Sequence, residues 1–392
     1  MANIEPMFDF NAFLTDPYSI ALAALMLLAL VGLCIHYGLY YMRVGRYKDA
    51  HTNPNGALTK EKMPPVSVVM VAHNQAEWLK ENLVYLLEQE YDDYEVVVVD
   101  HTSTDDTHFV LFTLQSVYKH LKVVTFREDV NLFKGKKYPL SIGIKSAKND
   151  IVLLADPECI PRNFQWLKGM VRGYDDPAVQ IVLGYCGVKS NKTLLGSLQR
   201  YDVLDYSAHY LGSVLAGHPS TGSGRNLSYR REFFFAQGSF IGHYDIAEGA
   251  DDLFIYQNAT RKNTAISIGN DARLTIEPLK TFGQWHDERK HRVATRGRHS
   301  LRSRLRGDRR AVLNILFYGA GVALVVLGAL PWPIVALAAV IKWVWQIVCF
   351  AQLTKRFDGG KMHFVAPLLE IYFIIANTIL ILTPLHTQKR YK

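Results

Sequence analysis

Ile151-Val-Leu-Leu-Ala-Asp-Pro-Glu158 is an apolar run that stops at two carboxylates one residue apart. It reads as a buried strand that delivers oxygen ligands to a divalent cation. The same layout occurs twice upstream. Val66-Ser-Val-Val-Met-Val-Ala72 ends at His73-Asn74, and Glu95-Val-Val-Val-Val99 ends at Asp100. In an open α/β sheet, ligands bind beyond the carboxyl ends of the strands. Three such runs point to one site for a metal-bound, phosphorylated ligand.

Helical patterns separate the runs. Trp78, Leu79, Leu83, Leu86 and Leu87 recur at helical spacing across 76–90, and a helix from about Thr104 to Tyr118 has Ser103 or Thr104 as its expected N-cap. A third strand over Lys122 to Phe126 leads to a helix across Pro139 to Ala147. This alternation predicts an α/β fold, a mostly parallel sheet with helices on both faces. Further on, Val179 to Gly184 reads as another strand, and Leu194 to Leu215 as a long helix on the membrane surface.

The 392 residues are 49% hydrophobic, and the excess lies at the two ends. Tyr18 to Tyr41 holds no acid and no Lys or Arg, enough to cross a bilayer. The residues before it carry Glu5, Asp9 and Asp16 without a basic n-region, which reads as an uncleaved anchor. Near the other end, 311–330, Pro331-Trp-Pro333 and 334–353 read as a transmembrane hairpin. A last apolar stretch, 364–385, is interrupted by Pro367, Glu370 and Asn377, and reads as a third span, a re-entrant element or an interfacial helix. The expected domains are an N-terminal segment 1–17, an anchor 18–41, a linker 42–63, a soluble domain 64–300, the hairpin 311–353 and the helix 364–385.

Arg43, Arg46 and Lys48 follow the anchor, and ten Lys or Arg fall within 289–310 against Asp308 alone. The positive-inside rule then places the soluble domain in the cytoplasm of a multi-pass cell-membrane protein. Lys389, Arg390 and Lys392 at the far end favour a last segment that does not span. The net charge of +8 comes largely from the basic run beside a span. Anionic headgroups or a lipid-linked substrate are its expected partners, and no nucleic acid is expected, because the run lacks interleaved aromatics. Cys34, Cys159, Cys186 and Cys349 show no CxxC spacing, which indicates neither a zinc site nor a disulfide framework.

Asp156 and Glu158 suit Mg²⁺ or Mn²⁺, hard cations that share carboxylate oxygens with substrate phosphates. Asp100 can accept a hydrogen bond from a base or ribose. No GxGxxG and no Walker lysine loop occur, against a dinucleotide fold and an ATPase. Thr221-Gly-Ser-Gly-Arg-Asn226 is a glycine-rich loop ahead of an expected helix, with amides that could meet phosphate or an acceptor. Glu248-Gly-Ala-Asp-Asp252 opens a helix and offers a general base.

Taken in order, these pieces resemble the family 2 glycosyltransferases of the GT-A fold, the group that includes cellulose and hyaluronan synthases and bacterial membrane-anchored transferases. The resemblance covers roughly residues 64 to 300. Val66 to Asn74 looks like that family's opening strand, Tyr94 to Asp105 its second strand, Ala155-Asp-Pro-Glu-Cys159 its DxD position, and Gly224 to Arg230 its acceptor loop. The resemblance implies donor contacts at Ala72, His73, Asn74, Asp100, Lys137 and Asp156. It implies metal on Asp156 and Glu158, a base at Asp251 or Asp252, and acceptor or phosphate contacts at Gly224, Asn226, Arg289 and Arg292.

Two departures stand out. Gly249-Ala-Asp-Asp252 replaces the usual acidic pair or triplet, and Gln284 to Arg292 lacks the QxxRW pattern of processive synthases. The implied activity is an inverting, metal-dependent transfer of one sugar from a nucleotide diphosphate, a uridine one, to a lipid-linked or carbohydrate acceptor near the membrane. A processive polysaccharide synthase and a catalytically silent nucleotide-sugar-binding scaffold are the rival readings.

Overall fold

The computed structural model describes residues 16–48, 63–126 and 135–382. The segment expected over 1–17, the linker over 42–63 and the end of the 364–385 helix fall wholly or partly outside them, as do Lys389, Arg390 and Lys392. The described residues divide into two compact units, 16–46 with 300–382, and those within 47–299.

In the first unit, four helices are long and apolar enough to cross a membrane: Pro17–Gly45, Leu301–Val326, Trp332–Arg356 and Met362–Ile381. Asp16 caps the first, its carboxylate accepting from the Tyr18 and Ser19 amides. Leu28, Val322, Leu337 and Ile375 point outward and exposed, as lipid-facing side chains would. Polar groups are turned inward. Lys342 and Glu370 are both fully buried, 2.6 Å apart, and Tyr37 and Asn314 donate to the other Glu370 oxygen. A charge in so apolar a setting persists only when paired and hydrogen-bonded. Glu370 and Pro367 therefore interrupt the apolar run of 364–385 without breaking the helix Met362–Leu382.

The second unit is built on a seven-stranded sheet, order β3-β2-β1-β4-β8-β6-β9, and a small sheet, order β5-β10-β7. The strands are β1 Val66–Ala72, β2 Tyr94–His101, β3 Leu121–Phe126, β4 Ile151–Leu154, β5 Ile160–Pro161, β6 Ile181–Leu183, β7 Tyr185–Val188, β8 Leu227–Arg230, β9 Thr264–Ile266 and β10 Arg273–Ile276. β3, β2, β1 and β4 run parallel, β8 is antiparallel to both β4 and β6, and β6 and β9 are parallel. The sheet is thus mixed and mostly parallel, as the alternating pattern predicts.

Alternate residues explain why the central strands are mostly apolar on both faces. Val66, Val68, Met70, Val96 and Val98 share a core with Leu79, Leu83, Leu86 and Leu87 of the helix Ala76–Leu87. On the opposite face, Val69 and Val99 meet the helix Lys137–Ser146 so closely that a Cβ on Gly143 would lie 2.7 and 2.8 Å from their methyls.

Three expectations change. The helix before β3 spans Thr107–Val117, later than expected, because Ser103 and Thr104 bond to Asn74 and the Asp105 carboxylate accepts the Thr107 amide instead. The helix Leu194–Leu215 does not lie on a surface: Leu198, Tyr201, Leu204, Ala208 and Leu211 are buried within the unit. The glycine-rich loop leads through a single 3₁₀ turn, Gly224–Asn226, into β8 and not into a helix.

Candidate active site

The carboxyl ends of β1, β2 and β4 lie side by side, with Ala72 opposite Asp100 and Val69 opposite Leu154. Asp100 is buried; one of its oxygens is 3.8 Å from His108 Nδ1 and the other has no partner among the described residues. A buried carboxylate with a vacant oxygen is an acceptor in need of a donor.

The loops after β1 and β2 are tied together. His73 Nδ1 is 2.6 Å from the His101 carbonyl oxygen. The Asn74 amide donates to Ser103 Oγ, and its side-chain oxygen accepts from the Thr104 amide at 2.7 Å. Asn74 and Thr102 both adopt positive φ, 53° and 52°. For a β-branched residue such as Thr102 this is a strained conformation, of the kind that clusters at ligand clamps.

Asp156 sits two residues past β4. Its Oδ1 accepts from Lys136 Nζ at 3.0 Å, and its Oδ2 lies 4.0 Å from Arg225 Nε. Burial pushes the Asp156 carboxyl pKa up, but Lys136 and Arg225 outweigh it and hold the pKa below the ordinary value. Glu158 Oε1 accepts from Arg225 Nε at 2.9 Å and from its terminal nitrogen at 2.5 Å, and that nitrogen also donates to Glu288.

Two hard carboxylates spaced by a proline fit Mg²⁺ or Mn²⁺ when phosphate oxygens complete the shell. No group of three or more His, Cys, Asp or Glu that could hold a metal ion converges among the described residues.

Lys137 has a different place from the donor contact expected of it. It is fully buried, and Nζ donates to the His243 and Ile246 carbonyls at 2.5 and 2.9 Å. Burial lowers its pKa to about 8, against the opposing pull of Glu248 and Asp245. Lys136 is the lysine that faces the acids.

Asp251 N-caps the helix Asp252–Asn258, its Oδ1 accepting from the Asp252 amide at 2.9 Å. Its Oδ2 accepts from the Gly224 amide at 2.5 Å. A Cβ on Gly224 would stand 3.1 Å from that oxygen, so glycine allows the approach. Asp252 is turned away, bonded to Thr295 and to His299 Nε2. Ala250 is buried on the pocket wall with Lys136, Asp156, Gly224 and Asp251. Of the two candidate bases, Asp251 is the one in the pocket.

Three acceptor expectations also move. Asn226 is 1% exposed. Its Nδ2 donates to the Tyr185 and Ala272 carbonyls, both at 2.9 Å, and its Oδ1 accepts from Trp166 Nε1 at 3.2 Å. Both its donors bond to the small sheet's segments at Tyr185 and Ala272, and its oxygen bonds to Trp166. Arg289 and Arg292 converge on Asp202 of the helix Leu194–Leu215, which also accepts from Trp285 Nε1, and their guanidinium groups cover Trp285 and Tyr206. One carboxylate, Asp202, holds both guanidinium groups.

Arg225, Glu288 and Lys136 escaped the sequence reading. Arg225 lies inside the glycine-rich loop quoted above, but only that loop's backbone was read. Glu288 lies sixty-odd positions from its partner, with no local signal.

Residues 67–235 match a family model described as Glycosyl transferase family 2. Poly-beta-1,6-N-acetyl-D-glucosamine synthase of Staphylococcus aureus (strain COL) is 23% identical over 221 residues, 55% of this chain and 50% of that protein. The Staphylococcus epidermidis protein of the same name is 22% identical over 203 residues, 50% of this chain and 45% of its own length. The chain spans about half the length of the curated relatives it matches. The mannosyltransferase PcManGT from Pyrobaculum calidifontis, solved with GDP-Man and Mn²⁺, superposes with a TM-score of 0.56 at 22% identity, over 91% of this chain and 99% of that one. The segment that carries β1, β2, β4 and the Asp-Pro-Glu acids is therefore a family 2 glycosyltransferase domain of the GT-A fold.

Proposed function

We propose that this chain transfers one sugar, with inversion at the anomeric carbon, from a uridine diphosphate donor to a lipid-linked or membrane-proximal carbohydrate acceptor. The observation that carries the reading is a single pocket lined by Lys136, Asp156, Gly224 and Asp251 at the end of β4. It brings a lysine and two carboxylates to one place, which supports the reading.

Asp100, with its vacant buried oxygen, takes a donor hydrogen from the base or ribose. Asp156 and Glu158 would hold Mg²⁺ or Mn²⁺, which supplies charge neutralisation for the departing diphosphate. Lys136 adds a positive charge on the same side. Asp251 accepts the acceptor hydroxyl proton as that oxygen attacks. The Gly224 amide holds the Asp251 carboxylate in place. The four helices long and apolar enough to span would anchor the chain in the cell membrane, and the Lys and Arg that flank them support a cytoplasmic catalytic unit.

A polysaccharide synthase is the second reading, favoured by the names of the relatives, and it makes UDP-N-acetylglucosamine the first donor to try. The test is release of nucleotide diphosphate by membranes that contain the protein, across a panel of nucleotide sugars with Mn²⁺. Turnover of one donor, abolished by Asp156→Ala and by Asp251→Ala, is expected. Turnover untouched by either substitution would overturn the assignment. Product length separates single transfer from polymerisation.

A further inference from the structure

Arg225 is the least expected group in the site. Its guanidinium makes two hydrogen bonds to Glu158 Oε1, at 2.9 and 2.5 Å, and shares its terminal nitrogen with Glu288. It also stands 4.0 Å from Asp156 Oδ2. A side chain of this protein therefore neutralises the carboxylate expected to face the divalent cation, while Lys136 neutralises the other. The backbone at 225 is fixed from both sides. The Gly224 amide is bound by Asp251, and Asn226 is locked between the sheets. Of Arg225 itself, the side chain is the part left to swing.

We propose that Arg225 is an internal counter-ion that guards the acid pair, so that the site takes up its divalent cation only together with a nucleotide diphosphate. The proposal rests on the transferase reading above. Three carboxylates, Asp156, Glu158 and Glu288, face two side-chain cations, which leaves little net charge to attract a bare cation. A cation that arrives alone must break the Arg225–Glu158 bonds and give nothing back. A cation that arrives with a diphosphate frees Arg225 from Glu158 while offering it phosphate oxygens, and Glu288 retains the guanidinium in its second seat. No buried charge is left unmatched on that route. Arg225 is thus a positioning residue that couples metal loading to donor loading.

The test is Mn²⁺ binding to the full-length protein in nanodiscs, read by the Mn²⁺ electron paramagnetic resonance signal, with and without UDP. Wild type is expected to bind Mn²⁺ alone weakly and to tighten by about tenfold or more when UDP is present, the scale on which one adjacent opposite charge acts. Arg225→Gln is expected to bind Mn²⁺ alone about tenfold more tightly than wild type, and to lose most of the UDP dependence. Arg225→Lys keeps the charge but cannot bridge both acids, and falls between the two. Glu288→Gln removes the second seat, holds Arg225 on Glu158 and weakens Mn²⁺ binding with UDP. A purely structural role for Arg225 would weaken binding in every Arg225 variant.

Arg225→Gln and Arg225→Lys that bind Mn²⁺ alone no better than wild type, while wild type binds it with UDP, would overturn this inference and leave the transferase reading intact. The same holds if Glu288→Gln strengthens binding. Wild type that binds no Mn²⁺ with UDP or with GDP would overturn both.

Discussion

Asn226 was expected to meet the acceptor, and its structure-derived role can be separated from that expectation by one substitution. Asn226→Ala removes two donors and one acceptor from a site that is 1% exposed. The Tyr185 and Ala272 carbonyls and the Trp166 indole N–H each lose the bond to Asn226 in the core. At roughly 1–2 kcal/mol for each buried group left unsatisfied, the cost is about 3–6 kcal/mol. That is a large part of the 5–15 kcal/mol that holds a typical domain together. Asn226→Asp keeps the volume but sets a carboxylate against two carbonyl oxygens, and is expected to be at least as damaging. Thermal unfolding of the full-length protein in detergent is the assay. A unit of this size loses about 2–4 °C per kcal/mol, so a drop on the order of 10 °C is expected for both variants. Melting within about 2 °C of wild type for both, with turnover lost, would refute the reasoning and return Asn226 to the acceptor site.

Asp251→Asn preserves the shape but has a single acceptor oxygen, so it keeps one of the two bonds to the Gly224 and Asp252 amides and cannot take a proton; turnover is expected to fall by about 10²–10⁴ with donor affinity unchanged, measured by diphosphate release and by UDP titration. Gly224→Ala places a methyl 3.1 Å from the Asp251 oxygen and displaces that carboxylate by a few tenths of an ångström; a roughly tenfold loss of turnover at unchanged melting temperature is expected. His243 is buried and both ring nitrogens lack partners among the described residues; burial and the neighbouring Lys137 lower its pKa from 6.5 to about 4. The neutral ring's contribution is fully present above pH 6.5 and is lost as the pH falls through 6.5 towards 4. Stability should therefore decline there by at most about 1.4 kcal/mol per pH unit, and His243→Leu should flatten that part of a denaturation-versus-pH curve.

Much of the fold was legible in the chain order. Runs such as Val66–Ala72, apolar but for Ser67, and Ile151–Leu154 are apolar on both sides because helices cover both faces, and the helical spacing of Leu79, Leu83, Leu86 and Leu87 marks one of those covers. Asp100 and Asp156 stand at strand ends, so local pattern alone placed them at the sheet's carboxyl edge. The four helices long and apolar enough to cross a membrane are visible in composition, because length and apolar content are read without knowing what a side chain packs against. Which polar group meets which was not legible. Lys136 and Lys137 are adjacent and chemically identical, yet one faces Asp156 and the other is buried on two carbonyls, since successive residues at a helix start point in different directions. Asn226 and Gly224 belong to one loop, but the asparagine faces the core and the glycine faces Asp251. Arg225 joins Glu158 to Glu288 across widely separated segments, and only the folded sheet brings those charges within hydrogen-bonding distance.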